Sequence, residues 1–398
     1  MTETRAIRVS CSRGMAPYLT QELSALGHAP RELAPTALEL RGTLHDAWRL
    51  NLQLRTALSV LWPLASFPCS SPDELFEATR AVPWEEHLGL ESNLSVVSRV
   101  DTPTISDPRF ANLRVKDAIV DRMRDQLGDR PPSGPERTGA VVRAYWWGNQ
   151  AQLFADLSGQ KLSDRGYRKR PHMAPLRETL AAGLLLAAGY DGAQPFVNPM
   201  CGSGTLAIEA ALIGSGRAPG LLRSDYGLQH WRSYDAEAWQ EIRREVKAAP
   251  LRTPAPIVAT DHNPQAIEAA RHNAQTAGVE ALIEFGVCDF TETPIPAVGE
   301  AGGVVMLNPE YGLRLGDTAA LAATYNEVGD LFKQHFKGWT GFLFTGNAEL
   351  AKKVGLRTSR RLPFFNGDIE CRLLRYELYA GSKKQKKQGQ APGGEPRA

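Results

Sequence analysis

The sequence predicts an α+β half followed by an open, mostly parallel α/β sheet. Three observations predict this arrangement. Alternating strand and helix patterns of small-domain length fill the chain up to about residue 160. From residue 176 to about 380, helices alternate with short, apolar strands, as in sheets that helices cover on both faces. A length of 398 residues is too great for one ordinary core, so we expect two or three domains.

Each element of the N-terminal half is predicted from its own periodicity. Strand patterns alternate polar and apolar residues, and helix patterns carry their apolar residues on one stripe. Gly27 ends the first helix, the Pro- and Gly-rich segment 128–139 is a loop, and Gly148-Asn149 turns a hairpin. The predicted strands are 7–11, 37–41, 94–100, 141–146 and 152–157, and the predicted helices are 16–26, 44–54 and 113–123.

The C-terminal half follows a basic connector, residues 165–171. Its predicted strands are 196–197, 257–259, 283–285, 304–307 and 341–344. In an open α/β sheet ligands bind beyond the carboxyl ends of the strands, so residues that follow a strand are the candidates for a site. The last stretch, residues 381–398, mixes lysines with Gln, Gly and Pro and is predicted to be disordered.

Composition indicates a cytoplasmic, reduced and metal-free protein. No apolar run reaches the roughly 18 residues of a membrane span, and the N-terminus lacks the apolar core of a signal peptide. The five cysteines are scattered and show no metal-ligand spacing. A formal net charge of +2 argues neither for nor against nucleic acid, because a local patch binds phosphates and the total does not.

A glycine-rich turn is the first candidate site. The segment 198–206 follows an apolar strand and opens a helix predicted to be amphipathic, and the missing side chains of Gly202 and Gly204 would let a ligand lie against the backbone. The alternative is a tight turn without a ligand. The candidate cofactor-binding residues of this segment are Asn198, Met200, Cys201, Gly202, Gly204 and Thr205.

Two acidic residues end the next two strands. Asp261 stands where nucleoside-binding sheets accept hydrogen bonds from ribose hydroxyls; a cap on the helix that follows is the alternative. The interval from Gly204 to Asp261 exceeds the usual ~20 residues, so an insertion containing residues 226–231 must lie between them. Asp289 is placed to accept an adenine amine, with Phe290 against the ring.

The tetrapeptide Asn308-Pro309-Glu310-Tyr311 follows the strand 304–307 and gives the most specific indication of a reaction. An exocyclic amine on a base is a poor nucleophile, because its lone pair is delocalised into the ring. The Asn308 side-chain oxygen and the Pro309 carbonyl would accept from its hydrogens and localise the lone pair, while Tyr311 would stack on a base swung out of its helix. The alternative is an Asn-Pro turn with a buried tyrosine. Together with the glycine-rich turn, the tetrapeptide indicates an S-adenosylmethionine-dependent amino-methyltransferase.

At this point the chain resembles a known family, the THUMP-containing RNA guanine-N2 methyltransferases, which includes a large-subunit ribosomal RNA enzyme and tRNA enzymes. The resemblance rests on the segments 156–159 (DLSG), 165–168 (RGYR), 174–178 (APLRE) and 198–205 (NPMCGSGT), with 51–57 and 113–121 as further matches. It implies a ferredoxin-like lobe at 1–60, a THUMP RNA-binding domain at 61–160, a Rossmann-like class I methyltransferase at 161–380 and a basic tail at 381–398.

The resemblance also assigns roles. It implies S-adenosylmethionine as cofactor, structured RNA as partner and the N2 amine of guanosine as target, and it places Glu178 at the methionine end of the cofactor. The family usually has an acid where Asn198 stands and a second proline where Glu310 stands. As a hypothesis, the Glu310 carboxylate accepts from the N1–H and N2–H edge of guanine; a solvated loop glutamate is the alternative.

Other interpretations stay open at this point. Because Asn198 and Glu310 depart from the family pattern, an RNA-binding scaffold without catalysis is one alternative. A DNA N6-adenine methyltransferase is another, because the Asn-Pro-x-Tyr chemistry is shared with that class. The basic connector and Lys383 to Lys387 are candidate phosphate contacts, with a solvated surface as the alternative. We expect a monomer.

Overall fold

The computed structural model describes residues 3–170, 176–299, 302–310 and 318–379. These residues form two compact units. The first comprises the chain up to Arg168, Arg177–Gly183 and Gly216–Leu251, and the second comprises Lys169–Leu176, Leu184–Ser215 and the chain from Arg252 on. The insertion predicted between Gly204 and Asp261 is therefore present and belongs to the first unit. No helix within the described ranges is both long and apolar enough to cross a membrane.

The elements alternate along the whole chain. The strands are β1 (Arg5–Cys11), β2 (Arg31–Ala34), β3 (Ala37–Gly42), β4 (Ala57–Pro68), β5 (Leu94–Asp101), β6 (Ala140–Trp147), β7 (Gln150–Asp156), β8 (Phe196–Pro199), β9 (Ile257–Asp261), β10 (Ile283–Val287), β11 (Val304–Leu307), β12 (Thr340–Thr345), β13 (Arg360–Asn366) and β14 (Ile369–Glu377). The α-helices are α1 (Ala16–Ala25), α2 (Leu44–Gln53), α3 (Pro72–Arg80), α4 (Trp84–His87), α5 (Pro108–Leu127), α6 (Glu178–Ala187), α7 (Thr205–Gly214), α8 (Ala236–Lys247), α9 (Pro264–Thr276), α10 (Thr318–His335) and α11 (Ala348–Lys353).

One seven-stranded sheet runs through the first unit, in the order β2-β3-β1-β4-β7-β6-β5. Strand β4 joins its two halves, because it pairs antiparallel with β1 on one side and with β7 on the other. The sequence did not reveal β4, since Pro63 interrupts its pattern. The register shifts between Pro63 and Ala65, and such a bulge is where a strand tolerates proline.

The insertion packs on this unit through α8. Trp239 of α8 is fully buried and meets Trp48 of α2 edge to face at 6.2 Å between ring centroids. Tyr226 is also fully buried and donates from its hydroxyl to the Gly220 carbonyl at 2.6 Å. Its large aromatic side chains explain why this segment is ordered.

The second unit contains the predicted mostly parallel sheet, in the order β10-β9-β8-β11-β12-β14-β13. Strands β8 to β12 are parallel to one another, while β14 is antiparallel to both β12 and β13. The hairpin of β13 and β14 was missed in the sequence. Its outer strand contains Pro363, which an edge strand tolerates.

Helix α7 corrects one expectation. The segment that follows the glycine turn was predicted to be amphipathic, but every residue from Thr205 to Gly214 is buried. The buried residues include the polar Thr205 and Glu209, so the helix is covered on all sides. The turn that precedes α7 is therefore held by the interior of the unit.

Candidate active site

The turn between β8 and α7 is conformationally constrained. Met200, Gly202 and Gly204 all have positive φ, at 56°, 54° and 82°. Met200 is the one non-glycine residue with positive φ in the described ranges, a conformation that costs an L-residue roughly 1–2 kcal/mol. Such strain is found at ligand-binding turns and persists only where the surroundings hold it. Here the Cys201 amide donates to the Thr260 carbonyl at 2.9 Å.

The two glycines of the turn are required for different reasons. A Cβ on Gly204 would lie 2.9 Å from Cβ of Ala270 on α9, so Gly204 is needed for packing. Around a Cβ on Gly202, no heavy atom of the described chain beyond its two sequence neighbours lies within 4 Å. The surroundings of Gly202 are thus open, and its contact with the cofactor stays a prediction.

The Asp261 carboxylate stabilises the glycine turn between β8 and α7 and does not cap helix α9. Its Oδ2 accepts from the Gly202 amide at 2.9 Å and its Oδ1 from the Asn263 amide at 3.0 Å. The cap of α9 is Asn263, whose side chain accepts from the Gln265 amide, so the capping alternative for Asp261 is wrong. Each carboxylate oxygen has a further lone pair, and acceptance from ribose hydroxyls stays a prediction.

Asn198 links the two central strands. Its Nδ2 donates to the Met306 carbonyl of β11 at 2.9 Å, which an ionised acid at this position could not do. The side chain is 1% exposed, and its Oδ1 has no hydrogen-bond partner among the described residues. Buried acceptors in native proteins are nearly always paired. An unpaired one here suits a ligand that donates hydrogen bonds, such as an ammonium group.

Cys201 and Thr205 are buried on either side of the glycines. Burial, and secondarily the Asp261 carboxylate, raise the pKa of the Cys201 thiol far above its usual range. Because the thiolate is the reactive form, this cysteine is not a nucleophile at neutral pH. The Met200 side chain packs against the hydrophobic core of the second unit.

Asp289 and Phe290 lie beyond the end of β10 and have structural partners. Asp289 caps a short 3₁₀ turn by accepting from the Thr291 amide at 2.9 Å, and the hydrogen bond from the Thr291 side chain, with this one, lowers the pKa of its carboxyl. Phe290 is 8% exposed and belongs to the core cluster. Packing and capping explain these two residues without a ligand, and their contact with adenine stays a prediction.

Glu178 lies in the first unit. It is buried and forms an ion pair with Arg168 at 3.2 Å between Arg168 Nη2 and Glu178 Oε1. Its predicted place at the methionine end of the cofactor stays a prediction.

The basic connector needs correction. Arg165 is 1% exposed and donates to the carbonyls of Leu162 and Arg55 at 2.9 and 2.6 Å. Together with the Arg168 ion pair, this removes two of its predicted phosphate contacts. Arg170 pairs with Glu268, while Lys169 is exposed. The tail 381–398 lies outside the described residues.

The end of β11 carries the second half of the site. Because β8 and β11 are parallel neighbours, with Val305 opposite Val197, the glycine turn and Asn308 follow at the same edge of the sheet. The Asn308 Oδ1 is buried and has no hydrogen-bond partner in the described part of the chain. Pro309 is buried and Glu310 is exposed. Tyr311 lies outside the described residues.

Asn273 on α9 was missed. It is fully buried, its Oδ1 accepts from the amides of Lys169 and Arg170, and its Nδ2 donates to the carbonyls of Arg170 and Ser203, at 3.0–3.2 Å. One amide thus ties the connector to the glycine turn. A signal was present, because Asn273 stands on the buried stripe of α9 with Ala266 and Ala270.

Replacing Asn273 by aspartate should destabilise the protein and weaken cofactor binding. A carboxylate accepts but cannot donate, so the carbonyls of Arg170 and Ser203 would face a buried charge. We expect the free energy of unfolding to fall by about 2–4 kcal/mol. Denaturant titration and calorimetry with S-adenosylmethionine measure the two effects. The matched control is Gln275→Glu, an exposed amide on the same helix, which should change stability by less than ~0.5 kcal/mol.

The sheet order, the glycine turn and the tetrapeptide define a Rossmann-like class I methyltransferase domain. Family models match in three places: an RlmL ferredoxin-like domain at residues 7–61, a THUMP domain at 69–144 and an RMKL-like methyltransferase domain at 165–375. The chain belongs to the RMKL-like methyltransferase family. The predicted resemblance and fold class are thereby confirmed.

Similar proteins agree with this assignment. A ribosomal RNA large subunit methyltransferase K/L of Syntrophotalea carbinolica is 41% identical over 92% of the chain and 52% of its own length. A putative RNA methyltransferase of Synechocystis is 36% identical over 94% of the chain and 97% of its length. The chain thus spans about half of the K/L relatives it matches.

Solved structures share the fold over nearly the whole chain. SMU.472, a putative methyltransferase complexed with SAH, superposes with a TM-score of 0.83 at 26% identity and covers 96% of this chain and 100% of that one. A predicted N6-adenine-specific DNA methylase of Listeria monocytogenes gives 0.83 at 29% identity, with 94% and 97% covered.

Proposed function

We propose that the protein transfers a methyl group from S-adenosylmethionine to the exocyclic N2 amine of a guanosine in structured RNA, either 23S ribosomal RNA or transfer RNA. The observation that carries the proposal is Asn308. Its Oδ1 is a buried acceptor left unpaired by the described residues, followed by the buried Pro309, at the sheet edge that also carries the glycine turn. A buried amide oxygen in that state suits a donor brought by a substrate.

The cofactor site of the proposal consists of residues around the glycine turn. Gly202 would leave room for the cofactor backbone, Asp261 would accept from ribose hydroxyls, and Asn198 Oδ1 would accept from the methionine ammonium. When bound, the cofactor supplies an electrophilic methyl group on a sulfonium. The neutral, buried Cys201 would contribute shape rather than chemistry.

The target site would act by orientation and hydrogen bonding. Asn308 and the Pro309 carbonyl would accept from the two amine hydrogens, which concentrates the nitrogen lone pair towards the methyl donor. No strong base is required, because the nitrogen is acidic once alkylated and loses its proton to water. Alignment of the reacting atoms at about 3 Å supplies most of the rate.

The N-terminal half supports RNA as the carrier of the amine. The THUMP match and the RNA methyltransferases among the relatives support this choice. Within the proposal, the domains are 1–60, 61–160 and 161–380, the tail is 381–398, and the protein works as a monomer in the cytoplasm.

Glu310 would select guanine over adenine. Its exposed carboxylate stands one residue beyond the buried Pro309, and guanine offers N1–H and N2–H donors that adenine lacks. We expect Glu310→Gln to lower kcat/KM for guanosine by about tenfold, as for a lost hydrogen bond to a charged group. Single-turnover assays on one RNA measure the ratio of guanosine to adenosine methylation. An unchanged ratio and rate would show that Glu310 is a solvated loop residue.

Mass spectrometry of nucleosides tests the function. Purified protein is incubated with methyl-labelled S-adenosylmethionine and with ribosomal or transfer RNA from a strain that lacks the gene. Labelled N2-methylguanosine is the expected product. Labelled N6-methyladenosine would support the adenine alternative instead, and RNA binding without labelled product would indicate a scaffold.

A further inference from the structure

Two buried threonine hydroxyls join the end of β9 to the loop that follows β10. Thr260, the last residue but one of β9, is fully buried, and Thr293 is 5% exposed. Their Oγ1 atoms lie 2.7 Å apart, and the Thr293 hydroxyl donates to the Phe290 carbonyl at 2.9 Å. Because a hydroxyl has one hydrogen, Thr260 must be the donor to Thr293. We call this the hydroxyl chain, defined by Thr260, Thr293 and the Phe290 carbonyl.

The backbone of β9 connects the hydroxyl chain to the glycine turn. The Thr260 carbonyl accepts from the Cys201 amide at 2.9 Å, and the next residue, Asp261, accepts from the Gly202 amide. Strand β9 lies between β8 and β10 in the sheet, so Thr260 bonds to the segments that follow both of its neighbours. Its γ-methyl lies 3.4 Å from where a Cβ of Gly286 would stand. Because the methyl and the hydroxyl branch from one Cβ, this packing fixes the direction of the hydroxyl.

The hydroxyl chain does not serve to end a helix. The Asn263 side chain caps α9, and the Asp289 side chain caps the 3₁₀ turn Phe290–Glu292. The chain instead fixes the loop after β10 against the end of β9. Hydrogen bonds between buried side chains are strong in a low dielectric, and a buried hydroxyl left unpaired is costly. The spacing of these two segments is therefore held from within the second unit.

We infer that Thr260 and Thr293 are positioning residues for the nucleoside half of the cofactor, which they orient through other residues without touching it. The inference rests on the cofactor site of the proposed function, with Asp261 at the ribose and Asp289 and Phe290 at the adenine. A nucleoside that contacts both segments requires the correct spacing between them. A binding site is precise only when its supporting hydrogen bonds hold it. Breaking the hydroxyl chain should therefore weaken the nucleoside contacts and leave those of the methionine half unchanged.

Calorimetry on the full chain tests the inference. The probes are S-adenosylhomocysteine and 5′-methylthioadenosine, which keeps the nucleoside and lacks the amino-acid end. Thr293→Val keeps the shape of the side chain, removes its hydroxyl and should weaken the binding of both probes by the same factor, about tenfold. Thr293→Ser should restore the affinity. Thr260→Val removes only the donor and should weaken binding less. The double variant should bind no more weakly than Thr293→Val, because both residues act through one chain.

The matched control is Tyr325→Phe, which removes a hydroxyl from a second buried pair of the same unit. The Tyr325 hydroxyl lies 2.8 Å from Thr345 Oγ1. Denaturant titration should show a similar loss of stability in Tyr325→Phe and Thr293→Val. Calorimetry should show that Tyr325→Phe changes the affinity for S-adenosylhomocysteine by less than about twofold, because the hydroxyl chain is intact in that variant.

Equal affinity of folded Thr293→Val and wild type for S-adenosylhomocysteine would overturn the inference. An equal loss of affinity in Tyr325→Phe would also overturn it, because the loss would then follow from stability alone. If Thr293→Val did not fold, Thr260→Val gives the same comparison, since it keeps the hydrogen bond from Thr293 to the Phe290 carbonyl. Binding is measured without RNA. A protein whose cofactor affinity depends on the hydroxyl chain, but which methylates no guanosine, therefore supports the inference and contradicts only the proposed function.

Discussion

Replacing Asn308 by alanine should remove methyl transfer while leaving cofactor binding in place. We expect kcat to fall by about 10²–10³-fold, the effect of removing one hydrogen-bonding group that acts on the reacting atoms. The physical reason is local. Asn308 Oδ1 is buried and unpaired within the described chain, so the substrate amine would be its partner.

Single-turnover assays and calorimetry separate the two consequences. Affinity for S-adenosylmethionine should change by less than about threefold, because the glycine turn and Asp261 are untouched. Asn308→Asp keeps an oxygen acceptor at the same position and should lose less activity than alanine. If the alanine variant kept more than a tenth of wild-type kcat, the amine-orienting role of Asn308 would be refuted.

Features that depend on neighbours in sequence were predictable. Gly202 and Gly204 stand between an apolar strand and a helix, and that local order was enough to predict a tight turn between them. The parallel sheet followed in the same way, since its strands are short apolar runs between helices.

Features that depend on distant partners were not predictable. The Asp261 carboxylate binds the Gly202 amide 59 positions away, and Asn273 binds Lys169 across 104 positions. Helix α8 packs on α2, an element far from it in sequence. The sequence also could not show why glycine is required at position 204, because the residue that leaves no space for a Cβ there is the distant Ala270 on α9.

The difference between the surroundings of the two glycines predicts different outcomes for the same substitution at Gly202 and at Gly204. Gly204→Ala should lower the free energy of unfolding by about 2–4 kcal/mol, since a positive φ costs alanine roughly 1–2 kcal/mol and the methyl group would overpack against Ala270. Gly202→Ala should cost about 1–2 kcal/mol for its φ alone, yet weaken S-adenosylmethionine binding about tenfold, because the methyl would fill space left for the ligand.

Gly189→Ala is the matched control for both, because Gly189 has a φ of 73° and a Cβ there would meet no atom of the described chain within 4 Å, its two sequence neighbours apart. It should show the conformational cost alone and leave cofactor affinity unchanged. Denaturant titration gives the stabilities and calorimetry gives the affinities of the three variants. Subtracting the Gly189→Ala value isolates the packing cost at Gly204 and the ligand contact at Gly202. Equal cofactor affinity in the Gly202→Ala and Gly189→Ala variants would mean that the ligand does not pass over the turn at Gly202, and the cofactor site would have to be sought elsewhere along the edge of the sheet.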